Sequence, residues 1–271
     1  MSQVLSQHIL LSFDIEEFDV PLEQGYKDFP SEEQLRISRQ GTEAILHILR
    51  KKGVRSTFFS TVTFWESLPE DLRKGIYTDG HELASHGVFH SSFSKEHLAE
   101  SRQKLASLWD GTDVCGFRMP RMMPVSDAEI AEAGYLYNSS LNPTCIPGRY
   151  NHLSAPRLPY FDKYGVLQMP SSVTPLLRFP LFWLSLHHLP LSLYIRMIRH
   201  TVRRDNYLNL YFHPWEFAEI SCLPECKLSY TVTHNSGEKM CRRLEAVIDT
   251  LLADGCSFGT FSDYYRFQKQ G

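Results

Sequence analysis

The sequence predicts an α/β protein built on a parallel sheet covered by helices; an open doubly wound sheet and a closed or incomplete barrel are both compatible. Three observations predict this. Short, nearly all-apolar runs of strand length alternate with amphipathic helical stripes, the pattern of strands buried on both faces and of the helices that cover them. The connections between them are short. The 271 residues, 42% of them hydrophobic, can bury a sizeable core at a length that single α/β barrels reach, and with 22% charged residues the disordered, collagen-like and coiled-coil classes are excluded.

The elements follow in order. His8 to Phe13 (HILLSF) reads as a first buried strand. From Ser31 to Lys52 a helical stripe runs through Leu35, Ser38, Thr42, Ile45, Leu46 and Leu49, with first-turn acids Glu32 and Glu33 and a C-terminal cap at Gly53. Ser56 to Ser60 is a second strand, Pro69 to Tyr77 a helix and Glu82 to Ser85 a third strand. A helix opening at Ser94 carries Leu98, Leu105, Leu108 and Trp109 and ends before Gly111. Val114 to Arg118 is strand-like and Ser126 to Ala133 helical; Tyr207 to Phe212 (YLNLYF) is a further strand. Met240, Leu244, Val247, Ile248, Leu251 and Leu252 share one helical face, before a last strand near Ser257 to Phe261.

Several function classes fall away. No G-x-G-x-x-G or G-x4-G-K-[ST] loop follows a strand, which weakens any nucleotide-binding version of the fold. With 28 basic against 31 acidic residues, the net charge of -3 gives no electrostatic reason to expect nucleic acid or an anionic membrane as the main partner. The six cysteines form no dense framework, and the N-terminus shows neither a basic n-region nor a long apolar h-region, so a cytoplasmic chain with reduced thiols is expected. Cys222 and Cys226, with His234 and Cys241 downstream, are a weak match to a structural zinc pattern. Residues 173–198 are rich in Leu and aromatics, but Arg178, Pro180, His187, His188 and Pro190 interrupt them, so they are not a transmembrane helix. A core-packed insertion is expected there; a subunit interface and a membrane-surface patch are the alternatives.

Parallel α/β folds place chemistry at the carboxyl ends of their strands. There the first strand runs into Asp14-Ile15-Glu16, whose period of two points both carboxylates to one side. Two converging acids cannot both stay ionised at low cost without a cation, although an isolated D-x-E is equally at home in a solvated loop. His86 and His90 follow the third strand at i, i+4 spacing, one turn apart, so both rings can reach one ion. Two imidazoles and one carboxylate, with a position left open, are the ligand set of a hydrolytic zinc site rather than a closed structural one. Arg118 ends a strand in Gly116-Phe117-Arg118-Met119-Pro120, where its guanidinium can clamp a carboxylate such as Asp14. The YLNLYF strand runs into His213-Pro214-Trp215-Glu216, which offers His213 as a general acid and Trp215 as an apolar wall or sugar platform.

In this order, Ser12-Phe13-Asp14-Ile15-Glu16, Ser85-His86-Gly87-Val88-Phe89-His90, Arg118-Met119-Pro120 and Leu210-Tyr211-Phe212-His213 resemble the motifs of the polysaccharide deacetylase family, the NodB-homology carbohydrate esterases, over essentially the whole chain. The resemblance implies a single domain over 1–271, folded as an irregular, incomplete (β/α) barrel of the NodB-homology type. It implies Asp14 as general base, His86 and His90 as metal ligands, Arg118 as the group orienting the base, His213 as the acid, and Pro120 and Trp215 toward substrate. Two departures stand out. The adjacent acids of the family are here spaced as Asp14 and Glu16, so the third ligand falls to Glu16, with the two roles exchangeable. The family also often pairs its late His with an Asp from a preceding loop, where Tyr137-Asn138-Ser139-Ser140 offers an Asn.

The implied reaction is metal-assisted hydrolysis of an N-acetyl group on an amino sugar or sugar precursor, by water at a divalent metal, zinc by ligand type. Asp14 would take the proton and His213 would protonate the departing amine. The alternatives are hydrolysis of a small cyclic amide, imide or ureide, and a catalytically silent metal- or carbohydrate-binding module.

Overall fold

The protein is described here from a computed structural model covering residues 7–109, 113–148, 150–221, 223 and 226–270. The first strand, β1 (His8–Ile15), is its axis, because three other strands pair with it, all in parallel. β10 (Tyr207–Phe212) lies along one edge, matching His8 to Tyr207 and Phe13 to Phe212. The other edge is shared: β11 (Ser257–Gly259) takes its first residues and β2 (Thr57–Ser60) its last. From β2 the sheet continues through β3 (Glu82–Ser85), β4 (Gly116–Phe117) and β5 (Tyr137–Asn138). A hairpin, β6 (Cys145–Ile146) and β7 (Tyr150–Asn151), stands apart, and β9 (Leu167–Gln168) pairs with β5 while β8 (Tyr160–Phe161) adds antiparallel to β9. This is the expected α/β architecture, a curled, incomplete barrel of mainly parallel strands.

Alternation along β1 sorts its side chains. Ile9, Leu11, Phe13 and Ile15 join the large core between sheet and helices, while Leu10 belongs to a smaller core inside the barrel with Phe59, Ala84, Tyr137, Leu167, Tyr207 and Phe261. Asp14 therefore lies on the barrel face of its strand, opposite Ile15, as the two-residue period requires. Among the described residues no strand pairing joins β9 to β10, so the barrel has a seam. Backbone and side-chain bonds stitch it: Ser172 N–H donates to Asn209 O at 2.9 Å, Asn209 N–H donates to Ser172 Oγ at 2.8 Å, and Tyr207 Oη–H donates to Pro170 O at 2.8 Å.

The helices behave as the sequence predicts in most places. After a short turn of helix α1 (Val20–Glu23), α2 (Ser31–Lys52) buries Ile37, Gly41, Ile45, Leu46 and Leu49, begins with Glu32 and Glu33 and closes on Gly53 at φ 64°. α3 (Val62–Ser67), unforeseen in the sequence, is capped by Thr61, whose Oγ1 accepts from Phe64 N–H at 3.1 Å. α4 (Glu70–Thr78), α5 (Glu96–Leu108) and α6 (Asp127–Glu132) stand near their expected places. The strand expected over Val114 to Arg118 shrinks to two residues, with Arg118 directly after it and still bonded through its N–H to Ser85 O at 2.9 Å.

Residues 173–198 do not form one insertion. They divide into a bridge between Val173 and Pro180, helix α7 (Trp183–His188), and the first half of α8 (Leu191–Asp205), which runs on into β10 as an ordinary crossover helix. Leu181, Leu186, Tyr194 and Ile198 are buried, as core packing requires, whereas Leu176 and Leu177 are 79% and 87% exposed at the tip before α7. No helix among the described residues is long and apolar enough to cross a membrane. Cys222, part of the weak zinc pattern, lies outside the described residues. α9 (Tyr230–Thr233), α10 (Glu238–Ala253) and α11 (Phe261–Gln270) complete the fold.

One close approach positions the site. The turn that follows β10 packs on α2 so tightly that a Cβ placed on Gly41 would stand 1.8 Å from Pro214 O. Gly41→Ala must push α2 and the His213 turn apart. It is expected to cost ~1–3 kcal/mol or more in urea unfolding, and an unchanged midpoint would refute the contact.

Candidate metal and catalytic site

Three donor atoms converge at the carboxyl ends of β1 and β3. Glu16 Oε2 stands 3.0 Å from His86 Nε2 and 3.2 Å from His90 Nε2. The opposite ring nitrogens are committed. His86 Nδ1 lies 2.8 Å from Arg118 O, and since a carbonyl can only accept, Nδ1 carries the hydrogen. His90 Nδ1 lies 2.8 Å from Asp19 Oδ2. Burial alone would raise Asp19, but bonds from His90 and Ser91 and the Arg121 guanidinium bring it to about 2, so it is an ionised acceptor and His90 Nδ1 also donates. In the neutral rings, both Nε2 lone pairs then face a carboxylate oxygen that has no hydrogen-bond partner although it is fully buried. Three lone pairs aimed at one another are stable only around a proton or a cation.

That mismatch is the test of whether a metal fits here, and the residues pass it: Glu16, His86 and His90 form a group that could hold a metal ion, each ring oriented by an outer acceptor. Electrostatics point the same way. Burial lowers His86, with Asp14 opposing and Arg118 assisting, which keeps the ring neutral. Burial raises Glu16 well above the ordinary carboxylate range. For His90, burial lowers the pKa, but Glu16 and Asp19 outweigh it and raise it.

The other sequence-predicted residues gather around this cluster. Asp14 is paired with Arg118, a guanidinium fully buried inside the barrel, whose Cζ atom lies 4.0 Å from the Phe59 ring centroid. Burial would raise Asp14, but Arg118, together with His86 and His213, holds it below its ordinary value. The rest of the Arg118 fork is fixed by Ser139, through O at 3.2 Å and Oγ at 3.1 Å. Asp14, Glu16, His90, His213 and Trp215 all line one cavity of about 210 Å³, together with Asp19, Arg121 and Trp183. Trp183 meets Trp215 edge to face at 5.3 Å, and the His213 ring stacks on Trp215 at 5.5 Å.

Two expectations change. Pro120 is buried at the start of a tight turn and is not among the residues lining the cavity; the two residues after it, Arg121 and Met122, are. Both have left-handed backbones, at φ 58° and 52°, a strain of about 1–3 kcal/mol each that is found where geometry at a site is over-determined. Arg121 thereby reaches Asp19 at 2.9 Å and Glu23 at 2.8 Å. The second change concerns His213. Its carboxylate partner is not in the Asn138 loop, where Asn138 bonds Gln168 and Ser140, but three residues further on. Glu216 Oε1 accepts from His213 N–H at 2.6 Å and lies 2.9 Å from His213 Nδ1. The signal was present in His213-Pro214-Trp215-Glu216, whose tight turn after a strand brings i and i+3 together. For Asp19, Arg121 and Trp183, no comparable spacing betrays the contact.

The fold and these residues define a class, an incomplete α/β barrel with a histidine and carboxylate cluster capable of holding a metal at its mouth. Residues 6–120 match the family model of the polysaccharide deacetylases, so the resemblance carried by the first three motifs holds over that stretch, and a match to this family supports a hydrolase of the deacetylase or amidohydrolase kind acting on carbon–nitrogen bonds. No curated protein sequence matches the chain. Among solved structures the fold is similar to that of a Mycobacterium smegmatis protein assigned to the polysaccharide deacetylases, at 18% identity and a TM-score of 0.68, covering 99% of this chain and 93% of that one. A Pseudomonas aeruginosa PAO1 protein with the same assignment aligns at 16% identity and a TM-score of 0.67, covering 97% of this chain and 91% of the other. PuuE allantoinase gives 15% identity and a TM-score of 0.67, over 97% and 91% of the two chains.

Asp19 should matter to metal affinity without touching the metal. Asp19→Asn is expected to weaken divalent-cation binding about 10–100-fold by competition titration; equal affinity would show that His90 needs no such orientation. Because Glu16 and His90 both hold protons more tightly than usual, affinity should also fall as the pH is lowered, protons competing for the same atoms.

Proposed function

We propose that this protein is a metal-dependent N-deacetylase acting on an acetylated amino sugar or sugar precursor, with zinc as the metal that best suits two imidazoles and a carboxylate. The observation that carries the reading is the convergence of Glu16, His86 and His90 on the cavity that also presents Asp14 and His213. Glu16, His86 and His90 would hold a divalent cation, which would supply Lewis acidity toward a carbonyl and a water molecule.

The chain's own residues supply the rest. Asp14, ionised and fixed by Arg118, accepts the proton of the attacking water. Its suppressed basicity is a cost, offset by a fixed position within the cavity. An amine leaves poorly as an anion, so the second proton transfer is required, and His213 presents Nε2 for it because Glu216 engages Nδ1. Trp183 and Trp215 wall the cavity with aromatic surface suited to the apolar face of a sugar ring and exclude water from the reacting amide. A cavity of about 210 Å³ beside the cluster has room for one sugar ring. The same cavity favours a second reading, hydrolysis of a small cyclic amide or ureide, and the fold's similarity to an allantoinase is as close as to the deacetylases. A cytoplasmic location belongs to the same proposal.

Purified protein should contain about one equivalent of divalent metal and lose activity to chelators. Acetate release from a panel of N-acetylated sugars supports the first reading, and ring opening without acetate supports the second. His86→Ala should lose both metal and turnover, and His213→Ala should keep the metal while kcat drops about 10²–10⁴-fold. Bound metal with no hydrolysis of any amide would leave a silent binding module.

A further inference from the structure

The carboxyl group beside His213 is itself held from behind. Glu216 is fully buried, and its second oxygen, Oε2, lies 3.1 Å from His187 Nε2. His187, equally enclosed on α7, places Nδ1 2.7 Å from His234 O. A backbone carbonyl only accepts, so His187 Nδ1 carries a hydrogen and Nε2 bears a lone pair unless the ring is cationic. Two acceptors at 3.1 Å require one proton between them. Either neutral Glu216 donates through Oε2–H to a neutral His187, or cationic His187 donates to the Glu216 carboxylate.

We propose that His187 is a positioning residue that, by sharing one proton with Glu216, sets how much negative charge faces His213 and hence how firmly His213 holds the proton it delivers. This rests on the reading of His213 as the acid. When the shared proton sits on Glu216 Oε2, the carboxyl offers His213 Nδ1–H a neutral acceptor. When it moves to His187 Nε2, no bond to carbon changes, Glu216 becomes a full anion and His213 is favoured as imidazolium. The environment leans toward the first arrangement. Burial lifts Glu216 to about 7, against bonds from His213 and with Asp14 adding to the rise, and burial takes His187 to about 4 with Arg243 assisting. The groups facing this chain are Asp14 from β1, Tyr194 from α8, Arg243 from α10 and the His188 and His234 rings; α2 meets the turn with Gly41. Arg243 is turned to the carbonyls of Leu186 and Leu189, at 2.7 and 2.5 Å, and so steadies the α7 end that carries His187.

The test is His187→Gln, whose amide can donate to Oε2 and needs no proton from Glu216. In zinc-loaded, histidine-labelled protein, with the His213 signal assigned by its loss in His213→Gln, the ring titration of His213 should move up by about one pH unit. The basic limb of the kcat/KM profile should move with it. In a Glu216→Gln background the same substitution should leave the His213 midpoint in place. A folded His187→Gln with an unshifted midpoint overturns the proposal, as does a shift that persists without the carboxyl. Should His187→Gln not fold, Glu216→Gln alone decides: its amide donates to His187 as the protonated carboxyl does, so the His213 midpoint should stay in place, and a fall of about one pH unit, the mark of a Glu216 that already faces His213 as a full anion, overturns the proposal. The titration needs no turnover, so an enzyme that releases no acetate leaves this inference standing, and an active His187→Gln with an unmoved midpoint sinks it alone.

Discussion

Arg118 cannot shed its proton, and it is enclosed on every side. A buried cation must be paired and hydrogen-bonded, and meeting that demand arranges most of the site. Its side chain holds Asp14 and Ser139, its backbone N–H donates to Ser85 O, and its carbonyl takes the Nδ1 hydrogen of His86. One residue thus keeps an acid ionised, pins β4 against β3, and aims an imidazole lone pair at Glu16. Replacing such a group with an apolar residue would remove a positional reference shared by the base and by one ligand.

The two histidines at the cluster are supported unequally. His86 leans on a carbonyl dipole and is drawn toward neutrality, whereas His90 leans on the Asp19 carboxylate and holds a proton more readily. A cation that displaces the proton at His90 leaves Asp19 as an anionic backing to its ligand, which raises the basicity of that ring. The same carboxylate collects Arg121 and Ser91, so the wall of the cavity and the ligand geometry are coupled through one oxygen.

The seam of the barrel has a comparable economy. Where β9 fails to pair with β10, Asn209 fills the gap and donates through Nδ2 to Ser139 Oγ at 3.2 Å and to Met169 O at 3.1 Å. Ser139 in turn holds Arg118, so the closure of the barrel and the fixing of the base share one hydroxyl. α7, laid across this side of the barrel after the Val173–Pro180 bridge, brings Trp183 and His187 to the His213 turn. What reads in the sequence as an apolar insertion is the element that walls the cavity and backs the Glu216 carboxyl.

The sequence by itself determined the α/β alternation, because burial periodicity is a local property of each segment: the HILLSF and YLNLYF strands, the α2 stripe and its glycine cap all stand where the pattern puts them. It also determined that Asp14, Glu16, His86, His90, Arg118 and His213 are strand-end residues, since strand ends in parallel sheets are read from the same periodicity, and the structure brings all six together. Only the tertiary structure decided the partners. Asp19 meets His90, Arg121 meets Asp19, and Trp183 and His187 meet the His213 turn across many intervening residues, through a left-handed turn and a helix packed over a seam, and no spacing along the chain encodes a contact made between separate elements. Glu216 lies between the two cases: its distance from His213 was written in the sequence, but that its other oxygen would face a buried ring depended on where α7 came to rest.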